Sequence, residues 1–288
     1  MNGPSLPVAT TLSAVRLALA GIAPGFVPTM GALHQGHGAL ISRSAAENPA
    51  TVVSIFVNPT QFDDPVDFAR YPRLLDRDAA LAAAHGATLL FVPAVAEVYP
   101  PGFATSVEVD GLADRWEAAF RPGHFRAVAT VVARLLGLIR PARAYFGEKD
   151  FQQLQVVRRL HADLALTGEI VGCPTVRDGD GLACSSRNER LSPEARRSAL
   201  ALPRALQRMA AEAEGNDDAA AVIAAGEANL ERAPGLSVDY LVVVDPSTLD
   251  PVARVVPGAR ALVAAEIGGV RLIDNIELVS RKVGEWAS

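Results

Sequence analysis

The chain has 288 residues, of which 50% are hydrophobic and 20% charged, and its formal net charge is −5. This balance is typical of a globular protein with one large domain or two ordinary ones. The negative charge, with no basic run interleaved with aromatic residues, argues against nucleic acid as a partner. We expect no signal peptide, and no membrane span because the longest apolar run, near 128–139, is interrupted by Arg134. Two isolated cysteines, Cys173 and Cys184, favour a reducing cytoplasm.

The first part of the chain alternates apolar runs with segments of helical periodicity. We predict strands at 25–28, 51–57, 88–92, 107–109, 144–146 and 169–176, and helices at 11–20, 37–46, 76–84, 124–139 and 151–164. Such alternation is typical of right-handed βαβ units and a parallel sheet. The sequence therefore predicts an α/β fold with a Rossmann-like parallel sheet in an N-terminal domain, residues 1–176.

The pattern changes after about Asp178. A polar, glycine-bearing loop at 177–188 precedes alanine-rich helices at 193–214 and 219–231, and strands at 238–244, 261–267 and 270–274. The last two strands are joined by Gly268-Gly269, a hairpin signal. We predict a second, smaller α+β domain over residues 177–288.

The stretch from Phe26 to Leu40 reads as a strand end, a glycine-rich turn and a helix start. His34 and His37 are three residues apart and therefore share one face of that helix. A helix start offers unpaired N–H groups and partial positive charge, which suits a polyphosphate. The alternative is an ordinary turn with two exposed histidines. A metal site is disfavoured because no third His or Cys lies at ligand spacing nearby.

Two further polar stretches directly follow predicted strands. Asn58 and Gln61 follow one, and Lys149 and Asp150 follow another. Since ligands bind beyond the carboxyl ends of parallel strands, we predict that these stretches and the histidine turn converge on one crevice. Lys149 is one of only two lysines among 27 basic residues, the other being Lys282. Its charge suits triphosphate oxygens, although a surface lysine paired with a neighbouring carboxylate is the alternative.

Three other groups of side chains are candidates for the same crevice. Ser185-Ser186-Arg187 is either a phosphate clamp or an ordinary helix cap. The amides of Asn58, Gln61 and Gln153 suit a hydroxylated carboxylic acid, with Arg121 available for its carboxylate, unless they are satisfied loop residues. Asp76 and Asp78 either hold Mg²⁺ through water or mark a solvated helix start. We interpret His85, within a predicted helix, as structural.

No Walker loop, Gly-x-Gly-x-x-Gly fingerprint or Ser–His–Asp order is present. The residues themselves predict an α/β enzyme that binds a nucleoside triphosphate and promotes attack on its α-phosphate. They do not identify the acceptor.

Six motifs carry a family resemblance over nearly the whole chain, at 28–37, 54–62, 121–125, 145–154, 180–188 and 271–275. Through them the sequence resembles the pantoate–β-alanine ligase family. The resemblance implies that pantoate attacks the α-phosphate of ATP to give pantoyl adenylate and pyrophosphate. β-Alanine then displaces AMP and forms pantothenate. It also implies Mg²⁺ with ATP, and a homodimer whose smaller domain is a mobile cover.

The resemblance assigns roles residue by residue. His34, His37 and Lys149 are implied to be catalytic. ATP is implied to contact Met30, His34, His37, Gly147, Lys149, Asp150, Val176, Ser185, Ser186 and Arg187. Pantoate is implied to contact Gln61, Gln153, Asn58, Tyr71 and Arg121. Cys184 stands where many relatives carry a larger apolar residue, and we do not interpret it as a nucleophile.

Two other functions remain open at this point. A nucleotidylyltransferase would leave the nucleotide in its product, whereas a ligase would release AMP. A catalytically inactive nucleotide-binding regulator is disfavoured by the intact His34, His37 and Lys149.

Overall fold

The structure, a computed structural model, describes residues 6–62 and 65–279. Lys282 lies outside these residues. The chain divides into two compact units. The first contains residues up to Glu148 together with Gln152–Pro174, and the second contains Lys149–Phe151 together with the chain from Thr175 onward.

Six parallel strands form the sheet of the first unit: β1 (Val8–Ala9), β2 (Gly25–Thr29), β3 (Thr51–Ile55), β4 (Leu89–Phe91), β5 (Arg143–Gly147) and β6 (Glu169–Cys173). Their order across the sheet is β1-β4-β3-β2-β5-β6. The helices up to β6 are α1 (Leu12–Leu19), α2 (Gln35–Glu47), α3 (Pro65–Arg70), α4 (Leu75–Ala84), α5 (Val95–Val98), α6 (Glu117–Phe120), α7 (His124–Ile139) and α8 (Phe151–Asp163). This confirms the predicted parallel α/β fold.

The chain order reverses between β2 and β5, because β3 and β4 lie on one side of β2 while β5 and β6 lie on the other. β2 pairs with β3 as far as Thr29, but it pairs with β5 only at Gly25 and Phe26. Pro28, which has no N–H to donate, lies beyond the last β5 pair. The two strands therefore separate toward their carboxyl ends, where open α/β sheets bind ligands.

The second unit has an antiparallel sheet of β7 (Leu236–Val244), β8 (Arg260–Ile267) and β9 (Val270–Glu277), in that order. Its helices are α9 (Pro193–Ala199), α10 (Ala201–Ala213) and α11 (Ala219–Leu230). Leu202, Leu206 and Met209 recur at helical spacing along α10 and are fully buried in the core of this unit. Gly268 and Gly269 both have positive φ, at 58° and 72°, as the predicted two-residue hairpin requires.

Several predicted elements differ from the structure. Residues 107–109 do not form a strand, because the backbone N–H of Val107 donates to Thr130 Oγ1 of α7 at 2.9 Å. The helix predicted at 193–214 is divided into α9 and α10. Pro203 lacks the N–H that would bond to the carbonyl of Ala199, where α9 ends. β1, α3, α5 and α6 are too short for periodicity to have predicted them. No helix among the described residues is long and apolar enough to cross a bilayer.

Candidate active site

Asp78, in the first turn of α4, holds the turn that joins β2 to α2. Its Oδ2 accepts the backbone N–H of Ala32 at 2.9 Å, and its Oδ1 accepts that of Leu33 at 2.7 Å. Gly31 and Ala32 have φ of 88° and 51°, and this left-handed backbone turns successive N–H groups toward one anion. Asp78 is only 1% exposed, so these bonds are what compensate its burial. The turn is built around an internal carboxylate.

This arrangement does not fit the predicted magnesium ligand. Both oxygens of Asp78 already accept backbone hydrogen bonds, and the side chain is closed to solvent. Asp76, in the same turn of the helix, is exposed. Within 6–62 and 65–279, no three His, Cys, Asp or Glu side chains cluster as a metal site would require. The described side chains therefore offer no protein cage for Mg²⁺.

His34 and His37 cap the start of α2 reciprocally. His34 Nδ1 accepts the N–H of Gly36 at 3.1 Å, and His37 Nδ1 accepts the N–H of His34 at 3.3 Å. The ring centroids are 4.1 Å apart. Because both Nδ1 atoms act as acceptors, the neutral rings carry their protons on Nε2. In each neutral histidine the hydrogen-bond donor of the ring is therefore Nε2–H.

The backbone N–H groups of the turn that precedes α2 are bonded within the protein. The N–H of Gly31 donates to Thr29 Oγ1 at 3.1 Å, and Thr29 Oγ1 in turn donates to the carbonyl of Ser54 at 2.6 Å. From Gly31 to His34, every backbone N–H bonds to a side chain. These four amides are therefore committed to partners within the protein.

The far end of α4 also supports α2. His85, at the C-cap of α4, bonds through Nδ1 to Ser42 Oγ at 2.8 Å. A Cβ at Gly38 would lie 2.5 Å from His85 Nε2, so only glycine fits there. The prediction that His85 is structural is consistent with this packing. Through Asp78 and His85, α4 contacts the histidine-bearing segment at two places.

Asn58 orients Gln61 at the carboxyl end of β3. Asn58 is 1% exposed, its Nδ2 donates to Gln61 Oε1 at 3.1 Å, and its Oδ1 accepts from the hydroxyl of Tyr99 at 3.1 Å. Burial raises the pKa of Tyr99, which keeps this hydroxyl protonated. Since Gln61 Oε1 accepts from Asn58, the Gln61 amide group is left to donate. Asn58 is thus a support for Gln61, which lies in the helical turn Pro59–Gln61.

The other predicted pantoate residues lie on separate elements of the first unit. Arg121 Nη1 is 3.0 Å from His124 Nε2, at the start of α7. Tyr71 packs edge-on against Phe62, with ring centroids 5.5 Å apart. Gln153 is half-buried in α8. Its neighbour Gln152 is buried and structural, because its side chain bonds to the backbone of Leu112, Arg115 and Glu117.

In the second unit, three of the predicted phosphate ligands line one cleft. It is lined by Lys149, Leu182, Ala183, Ser185, Arg187, Asn188, Leu202, Arg271, Leu272, Ile273 and Asp274. Lys149 Nζ lies 3.8 Å from Asp150 Oδ2, and its side chain is 16% exposed. Asn188 Oδ1 is buried in this lining, and no described residue donates to it. Asp150, Val176 and Ser186 are not part of the lining.

Asp178 organises the loop that carries Ser185 and Arg187. It accepts hydrogen bonds from Cys184 Sγ at 3.0 Å, Arg196 Nη2 at 2.7 Å and Asn188 Nδ2 at 3.3 Å. Burial raises the pKa of Asp178, but these donors together bring it below its ordinary value. Burial, and then the bond to Asp178, raise the pKa of Cys184 to about 12. A thiol that stays protonated is a poor nucleophile, in agreement with the interpretation of Cys184.

Sequence reasoning identified candidate ligands but missed the residues that hold them. Asp78 did carry a signal, because it and Ala82 are four residues apart and lie on the buried face of α4. An acidic residue on an apolar helical face requires hydrogen-bond donors. Arg196 carried no such signal, since an arginine on an exposed helix is ordinary.

Comparisons with known proteins agree with the fold. The pantoate-beta-alanine ligase family model matches residues 8–277. The pantothenate synthetase of Thermus thermophilus is 54% identical over 270 residues, which are 93% of this chain and 98% of that protein. That of Deinococcus radiodurans is 54% identical over 266 residues, 90% of this chain and 95% of the relative.

Solved structures give the same result. A crystal structure of the Thermus thermophilus enzyme has a TM-score of 0.90 at 53% identity, and covers 94% of this chain and 99% of that one. The pantoate-beta-alanine ligase of Francisella tularensis, complexed with beta-gamma ATP and β-alanine, has a TM-score of 0.76 at 32% identity. This match covers 94% of this chain and 97% of the other.

The doubly wound sheet, with polar turns after its strands, defines an α/β enzyme, and the matches place it among the ligases. The chain belongs to the pantoate–β-alanine ligase family.

Proposed function

We propose that this chain makes pantothenate through a pantoyl adenylate, and that His34 and His37 stabilise the charge that develops at the α-phosphate. The overall reaction, ATP-dependent joining of pantoate to β-alanine, is that of the family to which the chain belongs. The observation that carries the proposed role is the reciprocal cap. Because each Nδ1 accepts a backbone N–H, the proton of each neutral ring is on Nε2, and Nε2–H is the donor that the proposal assigns to the phosphoryl oxygens.

The chemistry of adenylation needs donors more than it needs a base. A pantoate carboxylate oxygen attacks the α-phosphorus, and the bond to the β-phosphate oxygen breaks to release pyrophosphate. The attacking carboxylate carries no proton, so no general base is required. Negative charge grows on the phosphoryl oxygens, and fixed N–H donors stabilise it without reorganisation during the reaction.

In the second step, the neutral amine of β-alanine attacks the acyl carbonyl. The C–N bond forms, the acyl C–O bond to AMP breaks, and the proton lost by the amine passes to the departing AMP or to solvent. Adenylation is what makes AMP the leaving group in place of an oxide ion. Acyl adenylates hydrolyse readily, so this step depends on excluding water from the intermediate.

The cleft of the second unit supports a role in binding ATP phosphates. Lys149, Ser185 and Arg187 line it together and supply an ammonium, a hydroxyl and a guanidinium group. We extend the proposal to Asp150 for the ribose hydroxyls. By resemblance, Met30, Gly147, Val176 and Ser186 are proposed as further ATP contacts.

For pantoate we propose Gln61 and Gln153 as direct contacts, with Asn58, Tyr71 and Arg121 in support. The donor orientation of the Gln61 amide, set by its bond to Asn58, suits the oxygens of a hydroxy acid. The arginine would attract the carboxylate.

We propose that Mg²⁺ arrives with ATP and is held mainly by its phosphate oxygens, as is usual for this ion. The lack of an acidic cluster among the described side chains supports this assignment over a protein-held ion. A cytoplasmic location is supported by two buried free cysteines. A homodimer is proposed on the family resemblance alone.

Product analysis tests the proposed function. The chain is incubated with ATP, pantoate and β-alanine, and AMP, pyrophosphate and pantothenate are measured as each substrate is omitted. We expect equal amounts of all three products, and none of them without pantoate. A product that retains the nucleotide would indicate a nucleotidylyltransferase, and no turnover would indicate a regulator.

A further inference from the structure

The segment Arg271–Asn275 of β9 carries a motif that the proposed function leaves unexplained. Asn275 is 4% exposed, and its Nδ2 donates to the backbone carbonyl of Lys149 at 2.9 Å. Its Oδ1 accepts from Arg260 Nη1 at 2.8 Å, which sets the orientation of the amide. Arg260, on β8, therefore fixes the orientation of the Asn275 amide that donates to the backbone of Lys149.

Arg260 also contacts the segment Lys149–Phe151 directly, through Phe151. Its guanidinium carbon lies 4.2 Å from the centroid of the Phe151 ring, a stacking distance for a cation on an aromatic face. Arg260 is 9% exposed, and its Nη2 is 3.8 Å from Glu277 Oε2. The segment Lys149–Phe151 is thus held at a carbonyl by Asn275 and at a ring by Arg260.

We propose that Asn275 and Arg260 are positioning residues for Lys149. A lysine ammonium sits on a flexible four-carbon stem, so its reach depends on where the backbone is fixed. With the carbonyl of Lys149 anchored, its side chain lines the same cleft as Ser185 and Arg187. This inference rests on the proposed role of Lys149 at the ATP phosphates.

The neighbouring residue shows that β9 anchors another segment in the same way. Asp274 is 4% exposed, and its two oxygens accept from the guanidinium of Arg177 at 2.6 and 3.1 Å. Arg177 begins the loop that carries Ser185 and Arg187. The anchors at Asp274 and Asn275 therefore hold the two segments that supply Lys149, Ser185 and Arg187 to the cleft.

The variant Asn275→Asp tests the positioning role. It keeps the size of the side chain and the acceptor for Arg260, but it places an oxygen against the carbonyl of Lys149. We expect pantoate-dependent exchange of pyrophosphate into ATP to fall about 10- to 100-fold in kcat, the scale of a small misplacement of a catalytic group. The matched control is Asn229→Asp, the same change on α11, where the amide donates to the carbonyl of Ala225 in its own helix. The control should stay within about twofold of the wild type, far below the misplacement scale.

A double-mutant cycle with Lys149→Ala separates positioning from general structure. If Asn275 acts through the lysine side chain, Asn275→Asp should change exchange by less than about twofold in the Lys149→Ala background. The same cycle is run on ATP affinity by calorimetry without pantoate, which gives a readout that does not require turnover. Arg260→Lys, which keeps the charge, replaces Asn275→Asp if that variant does not fold, and should give at least about a fivefold loss.

The inference would be overturned if Asn275→Asp lowered exchange equally in the wild-type and Lys149→Ala backgrounds. It would also be overturned if Asn275→Asp changed neither ATP affinity nor exchange. If the wild type shows no pantoate-dependent exchange but the ATP-affinity cycle shows coupling, the proposed function fails and the positioning role stands.

Discussion

Leu33 donates its backbone N–H to Asp78 Oδ1 at 2.7 Å, across 45 residues of chain. The bond joins the turn before His34 to a helix that follows the next strand. With the matching bond from Ala32, it sets the turn that leads to the two histidines at the start of α2. The charge-stabilising role proposed for these histidines depends on that geometry.

Asp78→Asn should destabilise the fold and slow adenylation. The amide offers one acceptor where the carboxylate offers two, so one buried N–H faces another donor, at a cost of about 1–3 kcal/mol. Urea unfolding and pyrophosphate exchange measure the two effects. Asp76→Asn, at an exposed position in the same helical turn, should change the unfolding free energy by less than about 1 kcal/mol. Equal effects of the two variants would contradict the role of Asp78.

Two substitutions at His34 should separate capping from catalysis. In His34→Asn, the side-chain oxygen takes the place of Nδ1 and keeps the cap, but the Nε2–H donor is lost. In His34→Gln, an amide donor takes the place of Nε2 and the cap is weakened. We expect His34→Asn to retain stability and lose about 100-fold in exchange, the scale for removing one charge-stabilising donor.

His34→Gln should show the reverse pattern. Its unfolding free energy should fall by about 1 kcal/mol, and its exchange rate should exceed that of His34→Asn. Thermal unfolding and initial exchange rates decide the comparison. A stable and inactive His34→Gln, beside an active His34→Asn, would show that Nδ1 and not Nε2 contacts the substrate.

Gly38→Ala should destabilise the protein although alanine is the better helix former. The added Cβ would lie 2.5 Å from His85 Nε2, and the ring is held by its bond to Ser42. Overpacking of this kind costs about 1–3 kcal/mol, more than the gain of about 1 kcal/mol in helix propensity. His85→Ala removes the obstacle. Gly38→Ala should therefore lower the unfolding free energy less in a His85→Ala background than in the wild type. Additive losses would show that this contact is not the cause.

The bonds of Arg196 predict an acid-dependent contribution to stability. Its hydrogen bond to Asp180 lowers the pKa of that carboxyl from an ordinary value of 3.8. A lowered pKa means that stabilisation is present above pH 3.8 and is lost as the pH falls through the folded-state value. Because a third of the Asp180 side chain is exposed, solvent screening limits the contribution to about 1 kcal/mol or less.

Urea unfolding of the wild type and of Asp180→Asn tests this prediction. The difference in unfolding free energy should be constant between about pH 5 and 7 and should vanish in stronger acid. In an Arg196→Gln background, Asp180→Asn should have little effect at any pH. A difference that grows on acidification has the wrong sign for this account.

Elements with strong local patterns were predictable from the sequence. Helix α7 begins and ends at the predicted residues, because sixteen residues of amphipathic periodicity define it. β3 was predictable from the continuous β-branched, apolar run at 51–57, although the strand ends at Ile55. By contrast, the strand predicted at 107–109 failed because Val107 bonds to a helix side chain, which no local pattern reveals.

The candidate site shows the same division. The residue types at the ends of β2 and β3 indicated which side chains offer charge or hydrogen bonds. The bonds of Asp78 and Asn275 could not be inferred, because their partners lie 45 and 126 residues away in the chain. Tertiary contacts, and not the local sequence, determine which hydrogen-bonding atoms of these two side chains are used within the protein.

We propose that pantoate is activated as an adenylate before the amine attacks. Pantoate labelled with ¹⁸O in its carboxylate, with ATP and β-alanine, tests this most directly, because the attacking oxygen stays with the phosphorus when AMP leaves. Mass spectrometry of the products should find one ¹⁸O in each AMP and none in pyrophosphate. Unlabelled AMP, or label in pyrophosphate or phosphate, would contradict the adenylate mechanism.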